Sequence, residues 1–189
     1  MSNSISSAAA GAVESIATGD NGIFHANGYI AGKPVQSDNL LEVRSPYDNR
    51  LVGTVKLANR EHASQAVKEA LKGGNKLTRY ERYAILEKTR QLLAERKEEF
   101  AQTISAESGL AIREARYETG RANDVLMFAA MESLRDDGQI FSCDISPSGK
   151  ARKIFTLREP LALAVAITPV NHPLNQVIQK IAAASAVGT

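Results

Sequence analysis

The residues best placed to do chemistry form the run Ile167-Thr168-Pro169-Val170-Asn171-His172-Pro173-Leu174-Asn175. An apolar stretch leads into it and a helical pattern leads out. Pro169 has no N–H for a strand ladder, so it marks where pairing stops. Pro173 suits the first turn of a helix, which puts Asn171 or His172 at or near the N-cap. A strand end, a short loop and a helix N-terminus therefore follow one another. In α/β proteins that arrangement binds ligands, against backbone N–H groups at the positive end of a helix dipole. The Asn171 amide offers an NH₂ donor suited to an oxygen that gains negative charge in acyl chemistry. On residue types alone, a plain helix cap is the simpler reading of Asn171.

The elements that must position this tip follow from patterning. Residues 29–31, 40–43 and 51–55 read as three short strands of an antiparallel meander, separated by turns at Gly32-Lys33-Pro34 and Ser45-Pro46-Tyr47-Asp48-Asn49. A first helix is capped by Asn59 and buries Ala63, Val67, Ala70 and Leu71 until Gly73-Gly74. A second opens on a Thr78/Glu81 capping box and runs to Gly109 with Ile85, Leu86, Leu92, Leu93, Phe100 and Ile104 at helical spacing. A third spans residues 112–134. Its buried stripe is Ile112, Ala115, Thr119, Ala122, Leu126 and Ala130, and its solvated face carries Arg113, Glu114, Glu118, Arg121 and Asp124. Residues 139–153 read as irregular. Residues 154–157 and 162–167 read as strands, the second apolar throughout as a strand covered on both faces should be. A closing helix occupies residues 174–187.

Bulk properties narrow the class. With 189 residues the chain can bury one real core. Its 23 basic and 21 acidic side chains are interspersed, which gives no case for nucleic acid or an anionic membrane. No apolar run is long enough to span a bilayer. The single cysteine, Cys143, excludes an internal disulfide and fits a reducing, cytoplasmic setting. The first 20 residues are rich in Ser, Ala and Gly and lack the layout of a secretory signal, so a disordered arm is expected there.

Several motifs in order carry a resemblance. The run Arg158-Glu159-Pro160-Leu161, the tip itself, Lys180-Ile181-Ala182 and Gly188 resemble the core signature of the aldehyde dehydrogenase superfamily. Ser45-Pro46-Tyr47-Asp48, Glu81-Arg82 and Glu107-Ser108-Gly109 match that superfamily's N-terminal half in the same order. The resemblance covers about residues 28–189. It implies an α/β fold: a truncated Rossmann-like NAD(P)-binding domain with N-terminal antiparallel strands and packing helices. The implied organisation is an arm over 1–25, strands and helices of the cofactor domain over 26–135, an oligomerisation-type segment over 136–157, and the first Rossmann strand and helix over 158–189. Departures stand at Gly109-Leu110-Ala111, Ala162, Ala183 and Thr189, where the superfamily usually has Gly-Lys-Pro, Gly, Pro and Asn.

By that resemblance Asn171 is an oxyanion-hole donor, and Ile167, Thr168, Pro169 and Val170 line the nicotinamide-riboside side of an NAD or NADP site. The implied reaction oxidises an aldehyde through a thiohemiacetal, with hydride transfer to NAD(P)⁺ and hydrolysis of a thioester. The implied assembly is a homodimer or homotetramer. The superfamily's nucleophilic Cys, its general-base Glu and the residues that hold the adenosine ribose match positions beyond Thr189. Cys143 is not that nucleophile: it lies in the irregular segment, with no helix N-terminus to activate it.

His172 and Arg121 match positions that face or wall the substrate tunnel, and a His and an Arg together suit an anion. With Gln139-Ile140-Phe141-Ser142-Cys143-Asp144 and Lys153, this pattern is most similar to the phosphonoacetaldehyde dehydrogenases. Lactaldehyde, succinic semialdehyde and glyceraldehyde 3-phosphate are the alternative substrates. A Glu118–Arg121 ion pair on the helix surface is the alternative role for Arg121. In a different class of reading, the polypeptide is a non-catalytic fragment with an interface role. The 189-residue chain alone is expected to lack dehydrogenase activity and to be poorly soluble. NAD(P)H formation by the purified chain with excess aldehyde checks this, and turnover above background would count against it.

Overall fold

A computed structural model describes residues 17–18, 22–73 and 77–189. The arm expected over the first 25 residues lies mostly outside the described residues. Ala17–Thr18, which falls within it, is a short strand (β1). The chain divides into two compact units. One holds the described residues before 75 together with Arg96–Thr119 and Pro169–Pro173. The other holds the residues from 77 to Glu95, Gly120–Thr168 and Leu174–Thr189.

In the first unit, β1 is followed by β2 (Phe24–Ala26), β3 (Tyr29–Ile30), β4 (Lys33–Pro34), β5 (Leu40–Arg44) and β6 (Leu51–Lys56). The expected meander is corrected here. Tyr29–Ile30 pairs only with Lys33–Pro34, in a hairpin whose central residues Ala31 and Gly32 both have positive φ. The main sheet has the order β1-β2-β6-β5, with β6 antiparallel to β5 and parallel to β2. Two residues explain β2. Its partner in register is Gly53, where a Cβ would lie 2.8 Å from the Phe24 carbonyl oxygen, so only glycine lets β2 come this close. The turn after β5 forms where expected, with Asn49 in the left-handed region and its N–H donating to the Ser45 carbonyl.

Helix α1 (Arg60–Gly73) follows β6, and Asn59 caps it as expected: its Oδ1 accepts from the His62 N–H at 2.9 Å. The single helix expected from Thr78 to Gly109 is two helices, α2 (Arg79–Glu95) and α3 (Lys97–Ser108). Arg96 leaves the helical region (φ −105°, ψ 17°), and its guanidinium pairs with Glu99 while lying 5.3 Å over the Phe100 ring. Those contacts start a new helix one residue later. The expected capping box is present, with Thr78 N–H donating to Glu81 Oε2 at 2.7 Å and Glu81 N–H to Thr78 Oγ1 at 3.2 Å. Leu86 and Leu93 are buried, whereas Ile85 and Leu92 are about half exposed.

Helix α4 (Ile112–Ser133) buries Ala115, Thr119, Ala122, Leu126 and Ala130, as its spacing predicts, whereas Ile112, at the start of the expected stripe, is exposed. Glu118 departs from expectation: it belongs to the buried face. In the second unit Arg90 joins α2 to α4. It holds Glu87 through two hydrogen bonds and reaches Asn123 Oδ1 at 3.3 Å, while Asn123 Nδ2 donates to the Arg90 carbonyl. The Arg90 hydrogen bond holds the Glu87 carboxyl down at about 2. The segment expected to be irregular contributes β7 (Ile140–Phe141), antiparallel to β8 (Ile154–Phe155). The last element is α5 (Pro173–Val187). Arg82 serves its C-terminal turn by donating Nε–H to the Ala186 carbonyl at 3.0 Å.

The strand expected over residues 162–167 is absent: these residues join no ladder, and Val165 and Ile167 are 75% and 84% exposed. A parallel strand needs a neighbour about 4.8 Å away to satisfy its backbone, and none of the described residues supplies one.

Gly109 closes α3 at φ 74°, and a Cβ there would meet Pro46 Cγ at 2.6 Å. Gly109→Ala is therefore expected to lower stability by about 1–2 kcal/mol or more. Urea unfolding of the variant beside the parent checks this, and an unchanged midpoint would remove the steric reading.

Candidate functional site

The tip begins as exposed extended chain. Ile167 and Val170 are both 84% exposed, Pro169 is exposed, and Thr168 is half-buried. Asn171 and His172 follow, both exposed, and Pro173 is the first residue of α5. Pro173 starts the helix because its fixed φ suits the first turn and its missing N–H is not needed there.

The tip residues Pro169–Pro173 belong to the first unit, and within it His172 ties them to α4. His172 Nδ1 lies 3.4 Å from Glu118 Oε2 on α4, a long hydrogen bond in which an Nδ1–H donates to the carboxylate. The Glu118 side chain is 1% exposed and that of His172 47% exposed. One ring nitrogen thus faces a buried carboxylate, while the side chain as a whole is about half exposed.

A second carboxylate belongs to this cluster. Glu107, near the end of α3, is half-buried, and its carboxyl is pushed above the usual carboxylate range by burial first and by the Glu118 charge second. The turn between α3 and α4 is braced by short-range bonds. Gly109 N–H donates to the Ser105 carbonyl, and Ser105 Oγ–H donates to the Leu110 carbonyl at 2.7 Å. The backbone that carries both carboxylates is therefore held on each side of Gly109.

Ile167, Thr168 and Arg121 belong to the second unit. Arg121 is exposed, one helical turn beyond Glu118 along α4. Glu118 itself is buried and turned to His172 rather than presented on the solvated face of the helix. Cys143 follows β7, is half-buried, and directs Sγ–H to the Phe141 carbonyl at 3.5 Å. Among the described residues no cluster of His, Cys, Asp and Glu could hold a metal ion.

Glu118 is the residue that sequence patterning assigned to the wrong face. The signal was present: Glu118 follows the buried Ala115 by three positions and precedes the buried Ala122 by four, so it sits on the edge of the same stripe. Its charge outweighed its position in that reading.

Three comparisons bear on this arrangement. The family model for the "Aldehyde dehydrogenase family" matches residues 33–189. A 3-sulfolactaldehyde dehydrogenase of Priestia aryabhattai is 35% identical over 163 residues, covering 85% of this chain and 34% of that protein. Among solved structures, aldehyde dehydrogenase 21 of Physcomitrella patens, in complex with the reaction product succinate, superposes with a TM-score of 0.81 at 35% identity. It covers 87% of this chain and 35% of its own. An NADP-dependent glyceraldehyde-3-phosphate dehydrogenase of Bacillus halodurans, complexed with NADP, has a TM-score of 0.81 at 28% identity, over 88% of this chain and 36% of its own. The chain spans about a third of the length of the relatives it matches. The fold is α/β and corresponds to the N-terminal part of these dehydrogenases.

The Glu107 shift has a stability consequence. A carboxyl whose folded value is raised adds stability below its unfolded value of about 4.5 and loses it as pH rises through the folded value. Glu107→Gln keeps the neutral form at every pH. Its urea midpoint is expected to exceed the parent's at pH 7 and to match it at pH 4. A midpoint at pH 7 below the parent's would mean that Glu107 is held as a useful charge.

Proposed function

The chain belongs to the aldehyde dehydrogenase family, and on that premise we propose that it forms the N-terminal part of an NAD(P)-dependent enzyme oxidising a small anionic aldehyde to its carboxylate. The observation that carries this reading is the pairing of neighbours at the tip: Asn171, which is exposed, then His172, with Nδ1 against the buried Glu118 carboxylate and its side chain about half exposed. Asn171 supplies one N–H to the oxygen of the aldehyde carbon as that oxygen gains negative charge. His172 and Arg121 supply the positive ends for the substrate's second, non-reacting charge.

The cofactor side rests on residues 167–170. They join no ladder, and Ile167, Pro169 and Val170 are exposed, which leaves backbone polar groups for a flat, polar ribose–nicotinamide face. These residues fit the group, and Ile167, Thr168, Pro169 and Val170 would hold its nicotinamide end. When bound, it accepts the hydride released from the aldehyde carbon. The chain's own part is to place the carbonyl, shield its charge and hold the distal anion.

Phosphonoacetaldehyde is our specific choice of substrate, since a phosphonate carries enough charge to engage both a His and an Arg. Support comes from the company of relatives: one is named for sulfolactaldehyde, and a structural neighbour was solved with succinate. Both names denote compounds with an anionic group besides the reacting end. The exposed apolar faces of the β7–β8 hairpin support assembly as a homodimer or homotetramer.

In the full-length enzyme, Asn171→Ala is expected to lower kcat by about 100-fold or more for any aldehyde. His172→Ala and Arg121→Ala are each expected to cut kcat/KM for phosphonoacetaldehyde by at least about tenfold, the scale of a lost charge-assisted contact, and to spare propionaldehyde. Steady-state kinetics on both aldehydes, with sulfolactaldehyde, succinic semialdehyde, lactaldehyde and glyceraldehyde 3-phosphate alongside, decides the substrate. Unchanged kcat/KM for every anionic aldehyde would end the anion-site reading.

A further inference from the structure

We infer that Glu118 is a positioning residue for His172: it fixes the imidazole's tautomer and direction so that Nε2, rather than Nδ1, is offered to the substrate. The inference rests on the anion-site reading of His172 for its functional meaning, but its structural half stands on geometry alone.

A carboxylate with 1% of its side chain exposed has lost almost all its water, and burial of that kind is costly unless a donor or a cation replaces the solvent. His172 comes from 54 positions further along the chain to do so. It is one residue from Pro173, which starts α5, and one from Asn171. A neutral imidazole has one N–H, and the nitrogen that carries it is decided by the partner each nitrogen meets. A carboxylate beside Nδ1 accepts only, so it selects the tautomer with hydrogen on Nδ1. Nε2 is then an acceptor in the neutral ring and an N–H donor in the imidazolium, and only the imidazolium form binds an anion through it. Glu107, half-buried near the end of α3, is close enough to feel the Glu118 charge, which with burial raises its carboxyl.

The same contact holds the tip itself. Pro169 and Pro173 stiffen the backbone at each end of Val170-Asn171-His172, and the His172 ring anchors it to α4 within the first unit.

Two readouts in the full-length enzyme test this, with ring-¹⁵N-histidine labelling and the His172→Ala spectrum as assignment. In the parent at high pH, His172 is expected to show a protonated Nδ1 and an unprotonated Nε2. In Glu118→Gln, whose amide can either donate or accept, that signature is expected to be lost. Kinetically, Glu118→Gln is expected to raise KM for phosphonoacetaldehyde by about tenfold, the scale seen when a partner orienting a functional histidine is removed. Turnover of propionaldehyde should stay within about twofold of the parent. The Glu118→Gln/His172→Ala double variant should be no worse than His172→Ala. A merely structural Glu118 would lower kcat for both aldehydes alike, which overturns the inference, as does an Nδ1–H signature that survives Glu118→Gln. Should Glu118→Gln not fold, Glu118→Asp draws the carboxylate back by one methylene and is read the same way. If His172→Ala leaves the anionic preference intact, the anion-site reading falls, and the tautomer readout still decides whether Glu118 sets the ring.

Discussion

A carboxylate taken almost wholly out of water has to find a donor or a positive charge, and in this chain Glu118 finds His172. Much of the local architecture bears on that contact. Helix α4 brings Glu118 inward because Ala115, Thr119 and Ala122 are small enough to let that face pack closely. The α3–α4 turn keeps Glu107 beside it, and Gly109 makes that turn possible by adopting a backbone conformation that Pro46 leaves no room for a Cβ to share. The tip accepts the contact because its two prolines limit where His172 can go.

The consequence for chemistry is a division of labour between neighbours. Asn171 has a polar donor and no charge, which suits an oxygen that becomes negative only while reacting. His172 has one ring nitrogen engaged by a buried carboxylate while its side chain as a whole is about half exposed.

Local features were legible from the residues. The Thr78–Glu81 box, the Asn59 cap and the Ser45–Asn49 turn each involve groups no more than four positions apart, so the side chains themselves carry the signal. Misreadings came where distant partners decide. The break at Arg96 depends on an arginine covering a ring in the next turn, which apolar spacing does not register. Strand β2 has only three residues, and its pairing with β6 is explained by the missing side chain of Gly53 rather than by anything in β2 itself. The apolar run of 162–167 has the composition of a buried strand, yet composition cannot provide the neighbouring backbone that a parallel strand requires.

The sequence by itself determined the kinds of element, most of their ends, the family, and the order of residues at the tip, because these depend on propensity, caps and short motifs read along the chain. Tertiary structure decided the order of strands in the sheet and the inward turn of Glu118. It also decided which nitrogen of His172 is engaged. Those outcomes join residues tens of positions apart, where the free energy lies in desolvation and close approach rather than in any local pattern.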